Sequence, residues 1–539
     1  MSETSPARAD TSPLSARLII LPLTALLVHL AFVHGYGYFR DELYYLACAR
    51  HLAWGYVDQP PLSIALLWIV THTIGSSLFA IRLLPAVAAA VIVWLTGDMA
   101  RRLGGGSFAQ VLAMCAALVA PEYLGIASVY TMNIFDIFFW TLAVWLLIRI
   151  FTEGDARLWP WLGLVLGLGL LNKISVLWLG FGLVCGLLLT RQRRWLGTSG
   201  PWVAGAIAAV LFLPYVLWQI PNHWATLEFM HNATTQKMAG LSPVAFLIDQ
   251  VLTMQPLTAP IWIAGLAFFL FDGSARGRRD PSISSGSPRA TSRGEDAHPL
   301  RPLGIIYVAV LLILIVNGKS RAGYLAPAYT MLFAAGALVI ERAIRRTGWG
   351  WLRPAVLTVL LAGGAVTAPL AMAMLPVPSY VAWARALGQK PATEEKKAVG
   401  VLPQFYADMQ GWPRMVGDVA RVYDQLSPAD RMEAAVFVGN YGEAGAIDLF
   451  GPALGLPPAI SSHNNYWLWG PRGYTGRIVI FLVPMDARPR LEQAFGSVVQ
   501  AGEVECGDCM PYEDHQPIFI CRNPRLTLQQ LWPHLKNFS

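Results

Sequence analysis

Apolar stretches long enough to cross a bilayer recur through the first two thirds of the chain, and they leave few folds open. A helix needs about 20 residues to span the hydrocarbon core. Candidate spans lie at roughly 17–35, 79–100, 107–127, 130–151, 158–172, 174–190, 200–219, 245–271, 303–317, 324–342 and 353–375, which makes eleven. Only 14% of the 539 residues are charged, against about 25% in soluble domains. Lipid is therefore the main solvent, and spans that must satisfy their own backbone groups read as helices. Leu62–Thr73 is apolar but short and reads as a helix lying at the interface. Leu18–Val33 lacks a small-residue cleavage pattern and further spans follow it, so it reads as an uncleaved first transmembrane helix.

Arginines give the orientation. Arg101 and Arg102, Arg149 and Arg157, Arg191 with Arg193 and Arg194, Arg276 to Arg301, and Arg342 with Arg345 and Arg346 all fall on one side of the spans. By the positive-inside rule that side is the cytoplasm. Residues 1–16 then form a disordered cytoplasmic tail, 17–375 a transmembrane domain, and 376–539 a domain outside. Residues 272–302, rich in Ser, Arg, Gly and Pro, read as a disordered cytoplasmic loop. The net charge of +7 sits at span ends rather than along a groove, so membrane lipids and not nucleic acid are the expected partners.

After Pro376 the charge density rises. Ala434–Gly439 and Arg477–Pro484 read as buried strands, with helices at Met415–Leu426 before them and Pro489–Phe495 after them. This alternation predicts a small extracytoplasmic α/β domain. Three of the six cysteines, Cys506, Cys509 and Cys521, lie there. An oxidising compartment favours one disulfide among them; a zinc site completed by His515 is the rival reading.

Polar groups from separate spans gather at the outer edge in this topology. Asp41 and Glu42 follow the first span, with His51 and Asp58 in the same loop; Arg82, Glu122, Asp136, Lys173, Lys319, Arg321 and Tyr324 come from later ones. Acids near bilayer depth are costly and mark functional sites. Cations beside them suit a lipid-linked anionic substrate, because they neutralise a phosphate and favour its departure. A carboxylate can take the proton of an attacking hydroxyl. Plainer roles stand beside these. Asp41 and Glu42 could cap the helix that follows, Arg82 could snorkel, and Lys173 could serve a turn.

Five motifs carry a family likeness: RDELYY at 40–45, VDQPPL at 57–62, IRLLPA at 81–86, LNKIS at 171–175 and KSRAGYLAPAY at 319–329. Over residues 17–375 the chain resembles the polytopic GT-C glycosyltransferases. It looks most like the bacterial family-39-like proteins related to protein O-mannosyltransferases and to the aminoarabinose transferase of lipid A. Eleven spans match the mannosyltransferases better than the thirteen of the aminoarabinose enzyme. The segments 439–451 and 461–471 look like the tail of a bacterial subgroup of the family.

The resemblance implies a polyprenyl-phosphate sugar donor, an external active site and an acid of the first loop at the reacting centre. Carried onto this sequence, Asp41 is the catalytic residue with Glu42 as its neighbour. Lys173, Lys319 and Arg321, then Arg82 and Tyr324, hold the donor phosphate. Asp136, His51, Asp58 and Glu122 complete the pocket. The expected reaction is inverting transfer of a sugar to an envelope lipid, glycan or protein hydroxyl at the outer face of a bacterial inner membrane. Neither a metal nor another cofactor is expected, with a divalent cation as the open alternative. A non-catalytic lipid-linked sugar binder and a lipid or sugar transporter are the rival functions.

Overall fold

The computed structural model describes residues 19–272 and 298–539. The segments expected to be disordered, 1–16 and 272–302, lie wholly or mostly outside these residues. Among the described residues five helices are long and apolar enough to cross a membrane: Leu78–Arg102, Met132–Glu153, Gly200–Gln219, Ala322–Thr347 and Leu352–Ala371. Two bent pairs raise the number to seven: Ser107–Val119 with Pro121–Ala127 at 61°, and Pro243–Thr253 with Pro256–Phe271 at 92°. Each break falls just before a proline, whose ring disfavours helical backbone in the residue ahead of it. Ala120 and Gln255 are accordingly non-helical, Gln255 with φ 70°.

The expected count of eleven is therefore not reached by length. Ile20–Ala31, Val176–Leu188 and Arg301–Asn317 are apolar but run 12, 13 and 17 residues. Trp159–Asn172 has 14. A hydropathy window runs on through turns such as Lys173–Ser175, where the backbone leaves the helix. The helix expected at Leu62–Thr73 forms with those bounds. Close helix packing rests on small residues. At Gly265 and Gly336 an added Cβ would fall 2.0 Å from Leu332 O and 1.7 Å from Ile261 O, so the backbones touch there.

Arginine-bearing loops meet at one end of the bundle. Asp98 pairs with Arg101 and Arg102 at 2.7 Å, and Arg102 reaches Glu153 at 3.0 Å. Arg149 pairs with Glu153, and Glu341 accepts from Gly106 N at 2.7 Å. Arg82, near the start of the helix whose last turn carries Arg101 and Arg102, meets Glu42, so Asp41 and the Tyr441 that bonds it lie at the opposite end.

That domain holds a five-stranded mixed sheet. Its strands are β1 (Ala434–Val438), β2 (Ala459–Ser461), β3 (Ile478–Leu482), β4 (Phe495–Val504) and β5 (Gln516–Pro524), in the order β2-β1-β3-β5-β4. β1 is parallel to β2 and β3, while β5 is antiparallel to β3 and β4. Every residue of β1 and β3 is buried. Strands covered on both faces read as unbroken apolar runs, which is why these two were visible in the sequence. β2 is three residues long and β4 is a half-exposed edge, so neither gave such a signal. Cys506 and Cys509 form the disulfide, and Cys521 is a buried thiol inside β5. His515 bonds Glu503 at 2.8 Å, and among the described residues Cys506 and Cys509 gather with Asp514 rather than with Cys521 and His515.

Candidate active site

The first loop and the C-terminal domain meet helix on helix. Arg40–Ala49 begins right after extended Phe39, and its N3 residue Glu42 accepts from Phe39 N at 2.8 Å, as a capping acid does. Tyr441–Phe450 lies against it. An added Cβ at Gly442 would meet the Arg40 side chain at 2.4 Å, and one at Gly445 would meet Leu43 C at 2.6 Å. The glycines of GNYGEAG thus serve close approach. Asn440 caps this second helix, with Oδ1 accepting from Gly442 N and Glu443 N.

Neighbouring acids in the first loop receive opposite roles. Glu42 is wholly buried. Its carboxylate takes Arg82 Nε at 2.8 Å and Nη2 at 2.7 Å, together with Tyr130 N at 2.7 Å. Arg82 spends its remaining reach on Val33 O and Gly37 O, each at 2.7 Å. Each Glu42 oxygen thus accepts two hydrogen bonds, and Arg82 commits four of its five N–H groups, leaving one Nη1 hydrogen. Asp41 is different. Its side chain is 32% exposed, Oδ1 accepts from Tyr441 Oη at 2.9 Å, and Arg40 Nε lies 3.7 Å away.

Arg40 is the hub of a charge cluster that neither part of the chain could make alone. Besides Asp41 it faces Asp408 at 3.4 Å and Glu395 at 3.8 Å, and Tyr512 Oη accepts from its Nη1 at 3.2 Å. Glu395 is 3% exposed and is ringed by four cations: Arg321 at 3.5 Å, Lys237 at 3.6 Å, Arg40 at 3.8 Å and Lys397 at 3.9 Å. Burial alone would raise its pKa, but Lys237, Arg40, Lys397 and Arg321 together bring it down to about 2. Backbone pairing holds it there. Met238 and Glu395 form an antiparallel bridge, and Lys396 N donates to Lys237 O at 2.9 Å. Asp58 faces Tyr44 Oη at 2.9 Å; burial pushes its carboxyl up to about 7 against the Tyr44 hydrogen bond.

The expected phosphate ligands divide. Arg321 pairs with Glu394 at 3.1 Å and shares Glu395 with Arg40, which joins it to Asp41. Lys173 Nζ bonds Asn133 Oδ1 at 2.8 Å, lies 3.5 Å from Asp136, and sits 5.1 Å over the ring of Tyr324. Ser175 Oγ donates to the same Asp136 oxygen, while the other oxygen is buried without a partner. Lys319 makes no hydrogen bond or ion pair among the described residues. Glu122 lies against Gly323, where a Cβ would fall 2.0 Å from its carboxylate. His51 stacks on Trp469 with ring centres 4.3 Å apart and bonds Ala47 O, away from the acids.

Asp41 and the Lys173–Asp136 pair are not in direct contact. The line between them runs through Tyr324, Arg321, Glu395 and Arg40. Sequence reading missed Glu394, Glu395, Lys397 and Asp408. The run EEKK at 394–397 looks like a solvated loop, and only tertiary pairing carries it to the membrane part.

Comparison with known proteins agrees with this architecture. Residues 58–218 match the family described as dolichyl-phosphate-mannose-protein mannosyltransferase. The structure of ArnT from Cupriavidus metallidurans bound to undecaprenyl phosphate superposes with a TM-score of 0.59 at 13% identity, covering 94% of this chain and 98% of that one. The chain has the GT-C fold. Another GT-C match is the archaeal oligosaccharyltransferase AglB from Archaeoglobus fulgidus, with a TM-score of 0.50 at 11% identity over 87% of this chain and 70% of that one.

Two curated proteins resemble the chain in sequence. The lipid A galacturonosyltransferase RgtD of Rhizobium johnstonii is 26% identical over 43% of this chain and 49% of its own length. The undecaprenyl phosphate-alpha-4-amino-4-deoxy-L-arabinose arabinosyl transferase 2 of Pseudomonas fluorescens is 28% identical over 31% and 32%. The matches thus span half of the first relative and a third of the second. Counting apolar spans favoured the mannosyltransferase side; with five to seven long spans, that count does not separate the two kinds of GT-C relative.

Proposed function

We propose that the protein is a glycosyltransferase that moves a sugar from a polyprenyl-phosphate donor to a hydroxyl of a cell-envelope acceptor, with Asp41 as the base. One observation carries this reading. Of two adjacent acids, one is sealed with Arg82, and the other is part-exposed, held by a tyrosine from the second domain and flanked by Arg40. A general base must reach the proton it takes. Asp41 meets that condition and Glu42 does not.

In the reaction, Asp41 Oδ removes the acceptor hydroxyl proton as that oxygen bonds the anomeric carbon. The bond from that carbon to the phosphate oxygen breaks with inversion, and polyprenyl phosphate leaves. Lys319 and Arg321, with Lys173 nearer Tyr324, neutralise the departing phosphate. Likeness to a structure bound to undecaprenyl phosphate and to two lipid-linked sugar transferases supports the donor class. No cofactor beyond the donor lipid is required for this step. The short apolar helices complete the eleven spans in a bacterial inner membrane, with the N-terminus cytoplasmic and the sheet domain periplasmic. Clustered arginines at the far end and a disulfide in the sheet domain support that orientation.

Purified Asp41→Asn in proteoliposomes with radiolabelled undecaprenyl-phosphate sugars and extracted envelope lipids is the test. The variant is expected to melt as the wild type and to move no label. Wild-type rates from the variant would refute the assignment, and label that crosses the bilayer without a new product would favour a transporter.

A further inference from the structure

A cavity of about 200 Å³ opens where the two domains meet, walled by Arg40, Lys237, Lys396, Lys397, Tyr441 and Tyr512 among others. Lys173, Lys319 and Arg321 do not line it, although Arg321 shares Glu395 with Arg40, Lys237 and Lys397. Four cations line it and no Asp or Glu side chain does. The balancing acids, Glu395 and Asp408, stand behind the cations rather than in the opening. Their pairing is loose: the four contacts to Glu395 measure 3.5–3.9 Å, whereas a tight charge-assisted hydrogen bond is about 2.7–2.9 Å. Glu395 Oε2 and Arg40 Nε, both buried, have no hydrogen-bond partner. Burial and the neighbouring guanidinium of Arg40 also lower the pKa of Lys397, and burial lowers that of Lys237 against the pull of Glu395. Arg40 Nε is thus a buried donor open to an acceptor on a bound ligand.

We propose that this cavity is a subsite for a sugar bearing an anionic substituent, a carboxylate or a phosphate, seated between the two domains beside Asp41. Size and walls fit that ligand. Drug-sized ligands occupy about 300–1,000 Å³, so this smaller space takes a single sugar-sized group. Tyr441 and Tyr512 belong to the wall, and the Tyr512 ring carries Lys397 Nζ at 4.0 Å. Placement fits as well, because the Tyr441 hydroxyl that touches Asp41 and the Arg40 guanidinium beside it belong to the same wall. The role of the bound sugar rests on the transferase reading above; the binding does not. A carboxylate would mark an acidic donor sugar, and a phosphate would mark a phosphorylated sugar on the acceptor.

Calorimetry on the full-length protein in nanodiscs tests it, with galacturonic acid, glucosamine 1-phosphate, galactose and inorganic phosphate as probes. At least one acidic sugar should bind saturably, and galactose should not. Lys237→Gln/Lys397→Gln should weaken that binding tenfold or more in protein that still folds. If that variant misfolds, Lys396→Gln, at an exposed position, should weaken it several-fold. The uronate alone binding assigns the subsite to the donor, and the sugar phosphate alone to the acceptor. Equal binding of galactose, binding of inorganic phosphate as tight as either sugar, no saturable binding, or wild-type affinity in the lysine variants would overturn the proposal. Asp41→Asn should keep this binding while losing transfer, so the subsite and the catalytic assignment fail separately.

Discussion

Replacing Glu42 with glutamine should unfold the protein more readily rather than simply silence it. The Glu42 carboxylate is fully buried and meets Arg82, itself 3% exposed, through two hydrogen bonds of 2.7–2.8 Å. Removing one charge leaves the other buried and uncompensated, which costs about 3–5 kcal/mol. Against a typical total of about 5–15 kcal/mol, that is a large share. The loss also loosens the start of the Arg40–Ala49 helix, since the same carboxylate holds Phe39 N and Tyr130 N. Thermal exposure of the buried thiols Cys48 and Cys115 to a fluorogenic maleimide reads it out. Glu42→Gln and Arg82→Gln should each label at markedly lower temperature. The double variant should lose less than the sum, because two neutral amides leave no unpaired charge. A Glu42→Gln protein that melts as the wild type yet has lost turnover would refute the structural assignment and return Glu42 to the chemistry.

Tyr441→Phe removes the hydrogen bond to Asp41 and nothing else of size; a bond to a charged group is worth about 1.5–3 kcal/mol, so kcat should fall tenfold or more with KM unchanged and the melting temperature should drop by a few degrees. Asp58 has a folded pKa of about 7, above its ordinary 3.8, so its ionisation opposes folding as pH rises through that window. Asp58→Asn should therefore melt higher than the wild type at pH 8, with the difference vanishing near pH 4. On intact cells a membrane-impermeant maleimide should label Cys506 and Cys509 only after reduction, whereas Cys521, buried in β5, should need denaturant; labelling of the pair without reductant would contradict the disulfide.

The sequence by itself determined the solvent and the coarse plan. Apolar runs of membrane length require self-satisfied helices, and the unbroken runs of β1 and β3 announce a sheet covered on both faces. The motif RDELYY already marked where the acids lie. What it left undecided was which acid is available. Asp41 and Glu42 are alike in local pattern, and only Arg82 and Tyr130, 40 and 88 residues further along, seal one of them. Helix counts also escaped it, because hydropathy does not register the turns at Lys173 and Gln255 where the backbone leaves the helix. Most of all, the cation ring around Glu395 and the hydroxyl on Asp41 join residues up to 400 positions apart. Such contacts follow from helix-on-helix docking at Gly442 and Gly445, a property of three-dimensional packing that composition and periodicity do not encode.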